Sequence, residues 1–172
     1  MRFAIVGHSF IARMAGNSLL QSDDVQLLGI LGATTWTLLH SKKIRDLDVD
    51  RLLLQIGGND IGPTSDPDDI VSDICDVVPM SLQKGCQVIV GSLFQRYRPR
   101  HMTPENYEIQ RSRINTRLCK LFRNQDYVAY WKLRGLQHLT AAAFKDGVHL
   151  TQTLETRYAR QLKLALYCSQ MK

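Results

Sequence analysis

The chain has 172 residues, 44% of them apolar and 22% charged, and a formal net charge of +6. A chain of this length reads as one domain, burying roughly 70% of its unfolded surface around a single core. The composition excludes a disordered or fibrous protein, and apolar runs such as 87–91 fall far short of the ~20 residues that a membrane-crossing helix needs. Phe3–Val6 follows the first two residues at once and reads as a strand, with no secretory signal pattern before it. Either the protein starts on its core strand or the domain is cut from a longer chain; an intracellular, cytoplasmic location is expected. A helix is predicted from Phe10 to about Leu20, a strand over Val25–Leu31 and a helix from Thr35 to about Arg45. Arg51–Ile56 is apolar almost throughout, as a strand covered on both faces should be. Asp66 and Pro67 have the residue types of a helix cap and first turn. That helix is expected to run to about Lys84 and stop at Gly85, with Pro79 kinking or breaking it. Gln87–Gly91 is a fourth strand, and Leu93–Thr103 a polar loop. Thr103 and Pro104 start a helix that reaches about Arg123. Tyr127–Tyr130 is a short fifth strand, Trp131–Lys145 is largely loop, and Leu150 to about Ser169 is a final amphipathic helix.

Strand–helix alternation of this kind predicts an α/β protein, a three-layer α/β/α sandwich. Right-handed crossovers favour a flavodoxin-like parallel five-stranded sheet of order 2-1-3-4-5. The four cysteines are widely spaced, with no C-x-x-C pair, and read as mostly buried thiols rather than disulfides or metal ligands. The basicity is local. Residues 93–134 hold ten Lys and Arg against three Asp and Glu, whereas the rest of the chain is nearly balanced. A basic segment spanning 96–134 can hold nucleic acid or an anionic membrane, or it can be a solvated helix face.

In a parallel α/β sheet the functional site lies beyond the carboxyl ends of the strands. The sequence there reads Gly7-His8-Ser9, Gly32-Ala33-Thr34 and Gly57-Gly58-Asn59-Asp60, with Asp146-Gly147-Val148-His149 just before the last helix. Each has an ordinary structural reading: Ser9 as a helix cap, Gly32 and Asn59-Asp60 as turns, Asp146-Gly147 as a tight turn. Together they offer a reaction. A serine hydroxyl needs a base to take its proton, and a base imidazole needs a carboxylate to orient it. His149 and Asp146 supply these within one loop. Acyl transfer also needs donors aimed at the developing oxyanion. The Ser9 N–H, helped by a helix dipole, the Gly32 N–H, unobstructed by a side chain, and the Asn59 amide are candidates.

These blocks resemble those of the SGNH (GDSL-like) hydrolases, which take their name from Ser, Gly, Asn and His in separate blocks. Ser9 matches the first, Gly32 the second, Gly57-Gly58-Asn59-Asp60 the G-x-N-D block and Asp146-Gly147-Val148-His149 the D-x-x-H block. The resemblance covers residues 3 to about 165. It implies a serine esterase with Ser9, Asp146 and His149 as catalytic residues and Ser9, Gly32 and Asn59 as oxyanion hole. It needs no metal or cofactor. One departure is His8, where the family usually has Asp before the serine. Within the family, the compact length, the Gly-His-Ser opening and the Leu-Leu-Gln-Ile-Gly-Gly-Asn-Asp block resemble the short esterase domains of the first-open-reading-frame proteins of animal retrotransposons. That narrower likeness implies acetyl or lipid ester substrates. His8, Arg96 and Arg98 are candidate substrate-binding residues, against plain packing for His8 and plain solvation for the arginines. Trp131 and Phe144 read either as an acyl-binding wall or as core. The alternative function is a nucleic-acid or anionic-membrane binding module in which turnover is incidental or lost. Oligomeric state is not legible.

Overall fold

The computed structural model describes residues 1–82 and 85–168. Five parallel strands form one sheet in the order β2-β1-β3-β4-β5: β1 (Phe3–Gly7), β2 (Val25–Gly29), β3 (Arg51–Gln55), β4 (Gln87–Gly91) and β5 (Val128–Trp131). The expected three-layer architecture and strand order are those observed. The central strands are apolar on both faces because helices cover both. Their side chains alternate between two cores. Ala4, Val6, Leu52, Leu54, Val88 and Val90 face one, which is closed by α2 (Thr35–Leu39), α3 (Lys42–Arg45), α4 (Pro67–Leu82) and α5 (Pro104–Leu121). Phe3, Ile5, Leu53 and Ile89 face the other, closed by α1 (Ser9–Ala12) and α6 (Gln152–Cys168).

The helices depart from expectation where local hydrogen bonds compete with the helical ladder. Instead of reaching Leu20, α1 is a single turn. Beyond it, Met14, Asn17 and Leu20 donate to carbonyls three residues back, and the Asn17 side chain accepts from the Leu19 N–H. Such bonds stabilise turns at the expense of the helix. The helix expected over 35–45 is split into α2 and α3 at His40 and Ser41. The His40 ring bonds the Trp36 carbonyl at 2.8 Å, and Ser41 restarts the chain as the residue before α3. Pro79 does not interrupt α4, which is helical on both sides of it. Asp66 accepts from the Asp68 N–H at 2.8 Å at the start of α4. The expected end near Lys84 lies outside the described residues, while Gly85 has the positive φ (73°) of a helix-ending glycine. Thr103 caps α5 through the Asn106 N–H. β5 starts a residue later than its apolar run because Tyr127 sits at φ 66°. Leu150 belongs to a bridge with Phe144 and not to α6; Ser169 is outside the described residues. All four cysteines are thiols: Cys86 is buried, Cys75 and Cys119 half-buried and Cys168 exposed. Among the described residues, no helix is long and apolar enough to cross a membrane.

Candidate active site

The carboxyl end of β1 delivers Ser9. His8 occupies the cap position and Ser9 is the first residue of α1, so its N–H belongs to a first turn without intrahelical partners. With four residues, α1 has too little dipole to add much to that donor. Packing, not length, fixes the turn. A Cβ on Gly29 would lie 2.0 Å from the Ala12 nitrogen, so only glycine lets α1 rest directly on the end of β2.

The second half of the site is the loop before α6. The Asp146 carboxylate accepts from the backbone N–H groups of Val148 (3.0 Å) and His149 (2.7 Å), and its other oxygen takes the His149 Nδ1 at 2.7 Å. Desolvation works to raise the Asp146 carboxyl. The combined hydrogen bonds from the His149 ring and the two N–H groups outweigh it and hold the group well below the usual carboxylate range. His149 Nε2 then lies 3.1 Å from Ser9 Oγ, across 140 residues of chain. Gly147 makes this turn possible. It sits at φ 84°, its carbonyl accepts from both Tyr97 and Arg98 N–H at 2.8 Å, and a Cβ there would meet the Arg98 Cβ at 2.5 Å.

Asn59 follows β3, and its amide is held at both ends. Its Nδ2 donates to the Ala33 carbonyl at 2.8 Å, and its Oδ1 accepts from the Arg96 guanidinium at 2.6 Å. This fixes the flip of the amide and leaves one Nδ2 hydrogen unspent. Arg96 is buried, its guanidinium 5.4 Å from the centre of the Tyr107 ring. Asp60, the next residue, accepts from the Thr35 N–H (3.0 Å) and hydroxyl (2.7 Å), tying this loop to the start of α2. Burial pushes the Asp60 carboxyl up, against the pull of the Thr35 bonds.

Ser9, Gly32, Asn59, Asp146 and His149 line one cleft of about 760 Å³. Gly32 is at φ 70°, and a Cβ there would meet nothing within 4 Å. Its backbone conformation, not lack of space for a side chain, is what asks for glycine. Arg96 and Arg98 both line the cleft, the first buried and bonded to Asn59, the second exposed. His8, expected at the substrate, is instead 2% exposed and packed edge-on against Phe10 at 5.2 Å, away from the cleft lining. Burial first, then the charges of Arg96 and His149, lower its pKa to about 3 and keep it neutral. Phe144 is core, and Trp131 packs against the same cluster. Neither lines the cleft.

The 96–134 basic segment does not form one face. Arg96, Arg98 and Arg100 line the cleft. On α5, Arg111 pairs with Glu108 and donates to the Leu93 carbonyl, and Arg113 and Arg117 both pair with Asp68 of α4. Among the described residues, no three His, Cys, Asp or Glu side chains gather as metal ligands. Sequence reasoning missed the Asn59–Arg96 bond, the Asp60–Thr35 tie and the steric need for Gly147. Only Gly147 left a signal, as a glycine inside the Asp-x-x-His turn.

No family model and no curated protein matches the sequence. Solved structures do. A member of the lipolytic G-D-S-L family from Veillonella parvula superposes with a TM-score of 0.78 at 13% identity, covering 98% of this chain and all of that one. A GDSL-like lipase from Bacteroides thetaiotaomicron gives 0.75 at 15% identity, covering 96% and 87%. The catalytic domain of a peptidoglycan O-acetyltransferase from Streptococcus pneumoniae gives 0.70 at 17% identity, covering 96% and 92%. With the five-stranded 2-1-3-4-5 sheet and its two helical layers, these likenesses show that the chain has the fold of the SGNH, or GDSL-like, hydrolases.

Proposed function

We propose that the protein is a serine ester hydrolase acting on carboxylic esters, acetyl or longer acyl, through an acyl-enzyme on Ser9. The observation that carries this reading is the hydrogen-bonded chain Ser9–His149–Asp146, opening on a cleft that Gly32 and Asn59 also line. Neighbours of the same fold with esterase, lipase and acyltransferase names support ester chemistry. His149 Nε2 takes the Ser9 proton as Oγ attacks the ester carbonyl carbon, while Asp146 holds Nδ1–H and the ring's orientation. The carbonyl oxygen becomes an oxyanion within reach of the Ser9 N–H, the Gly32 N–H and the free Asn59 Nδ2 hydrogen. As the tetrahedral intermediate collapses, the C–O bond to the alcohol breaks and His149 returns its proton to the leaving oxygen. Water, deprotonated by His149, then attacks the acyl carbon; the bond to Ser9 Oγ breaks, His149 returns the proton to Oγ, and the acid leaves.

Hydrolysis of p-nitrophenyl acetate and its longer-chain homologues by wild type and Ser9→Ala tests the reading. Wild-type turnover should fall at least a thousandfold in the variant, to near the uncatalysed rate. Equal rates in the two would show that Ser9 is not the nucleophile. The chain-length profile sizes the acyl pocket.

A further inference from the structure

The cleft has a charge imbalance that the hydrolytic chemistry does not use. The only carboxylate among its described lining residues, Asp146, is engaged by His149 and two backbone N–H groups. Of its four arginines, Arg96 is spent on Asn59. The other three, Arg13, Arg98 and Arg100, are exposed, and no acidic side chain or carbonyl among the described residues takes their guanidiniums. This contrasts with α5, where Arg111, Arg113 and Arg117 all have carboxylate partners. The three come from two separate parts of the chain, the end of α1 and the loop after β4, and converge on the wall around Ser9. A pocket lined by one sign of charge concentrates ligands of the other sign.

We propose that the cleft takes an ester bearing a negative charge of its own, a carboxylate or phosphate, held by the Arg13, Arg98 and Arg100 guanidiniums while the ester carbonyl lies against Ser9. Guanidinium forks suit the paired oxygens that such groups present. The proposal rests on Ser9 being the nucleophile. Positive charge at the rim also favours the oxyanion of any ester, so the informative quantity is the ratio between charged and neutral substrates of the same shape.

The experiment compares two matched pairs: 4-acetoxybenzoate with its methyl ester (charge on the alcohol side), and mono-4-nitrophenyl adipate with its methyl ester (charge on the acyl side, on a chain too long for ready anhydride closure). Each kcat/KM is divided by the spontaneous rate. Wild type and the double variant Arg13→Gln/Arg100→Gln are measured at low and high salt; Arg98 is left in place because its stem packs on Gly147. In at least one pair the charged member should be preferred by about tenfold at low salt, and salt and the double variant should each erase most of that preference. The responding pair identifies the side of the ester that the arginines hold. Ratios near one that neither salt nor the variant moves, with neutral esters still hydrolysed and that activity lost in Ser9→Ala, would overturn the anionic class and leave the esterase reading standing. If wild type hydrolyses none of the four, the esterase reading falls. Calorimetry with the same compounds then decides the anion site: it stands if the charged members bind more tightly by a margin the double variant removes, and falls if charged and neutral members bind alike.

Discussion

Arg96 and Arg98 stand two residues apart on one loop and meet opposite fates. The Arg96 guanidinium is buried over Tyr107 and fixed to the Asn59 side-chain oxygen, Oδ1. Arg98 has its backbone N–H anchored on Gly147 and its stem packed against that glycine, but its side chain is exposed on the cleft wall. Equal charge and near-equal position therefore decide nothing; what each residue meets across the fold does. The buried arginine fixes the orientation of the Asn59 amide, the proposed oxyanion donor, and the exposed one is available to a ligand.

The largest expected effect separates the two roles. Arg96→Met leaves the Asn59 Oδ1 without its charged donor and frees the amide to turn, so kcat for p-nitrophenyl acetate should drop by roughly 10²-fold with KM changed far less. In the Asn59→Ala background the same substitution should cost little more, because both act on one donor. Fully additive losses would mean that Arg96 works elsewhere. A smaller effect concerns the anchor of Arg98. Gly147→Ala puts a Cβ against the Arg98 stem at a positive φ, a strain of about 1–3 kcal/mol. Displacement of the Asp146–His149 turn should lower kcat/KM by about tenfold, and a variant as active as wild type would show that the turn tolerates another shape. The smallest effect is read in stability. Folded His8 titrates at about 3, against 6.5 unperturbed. Between these values the unfolded chain holds a proton that the folded chain does not. The His8 contribution is therefore complete above about pH 6.5 and declines as pH falls towards 3, by at most about 1.4 kcal/mol per pH unit. Urea midpoints measured from pH 4 to 7 should fall less steeply in His8→Gln than in wild type. An unchanged slope would assign the acid sensitivity to other groups.

The strands were legible in the sequence because strands buried on both faces leave unbroken apolar runs, and β3 and β4 were readable to within a residue. The short helices were not. The end of α1 and the break between α2 and α3 depend on side-chain bonds to nearby carbonyls and N–H groups, from Asn17 and His40, that carry no hydrophobic period. Pro79 does not break α4 because residues around it pack the helix onto the sheet, and tertiary packing outweighs the loss of one helical bond. At the site, Asp146 and His149 could be paired from sequence because three residues of turn bring them together. The pairing of Arg96 with Asn59 could not, since nothing local marks a contact that crosses 37 residues. His8 was assigned by adjacency to Ser9, but neighbours at the end of a strand point in opposite directions.

The sheet separates two cores, and the site straddles the division. Ser9 and His149 are carried by segments packed with Phe10, Val148 and Leu150 on the α1–α6 side, whereas Asn59 and Arg96 are braced by Ala33, Ile61 and Tyr107 on the other. The Ser9–His149 pair and the Asn59–Arg96 pair thus rest on opposite faces of the sheet, with the Tyr107 hydroxyl donating to the Phe94 carbonyl between the two cores. Repacking beneath α6 bears first on the Ser9–His149 distance, and repacking beneath α5 bears first on the Asn59–Arg96 bond. A substitution in one helical layer therefore reaches one of these two pairs before the other.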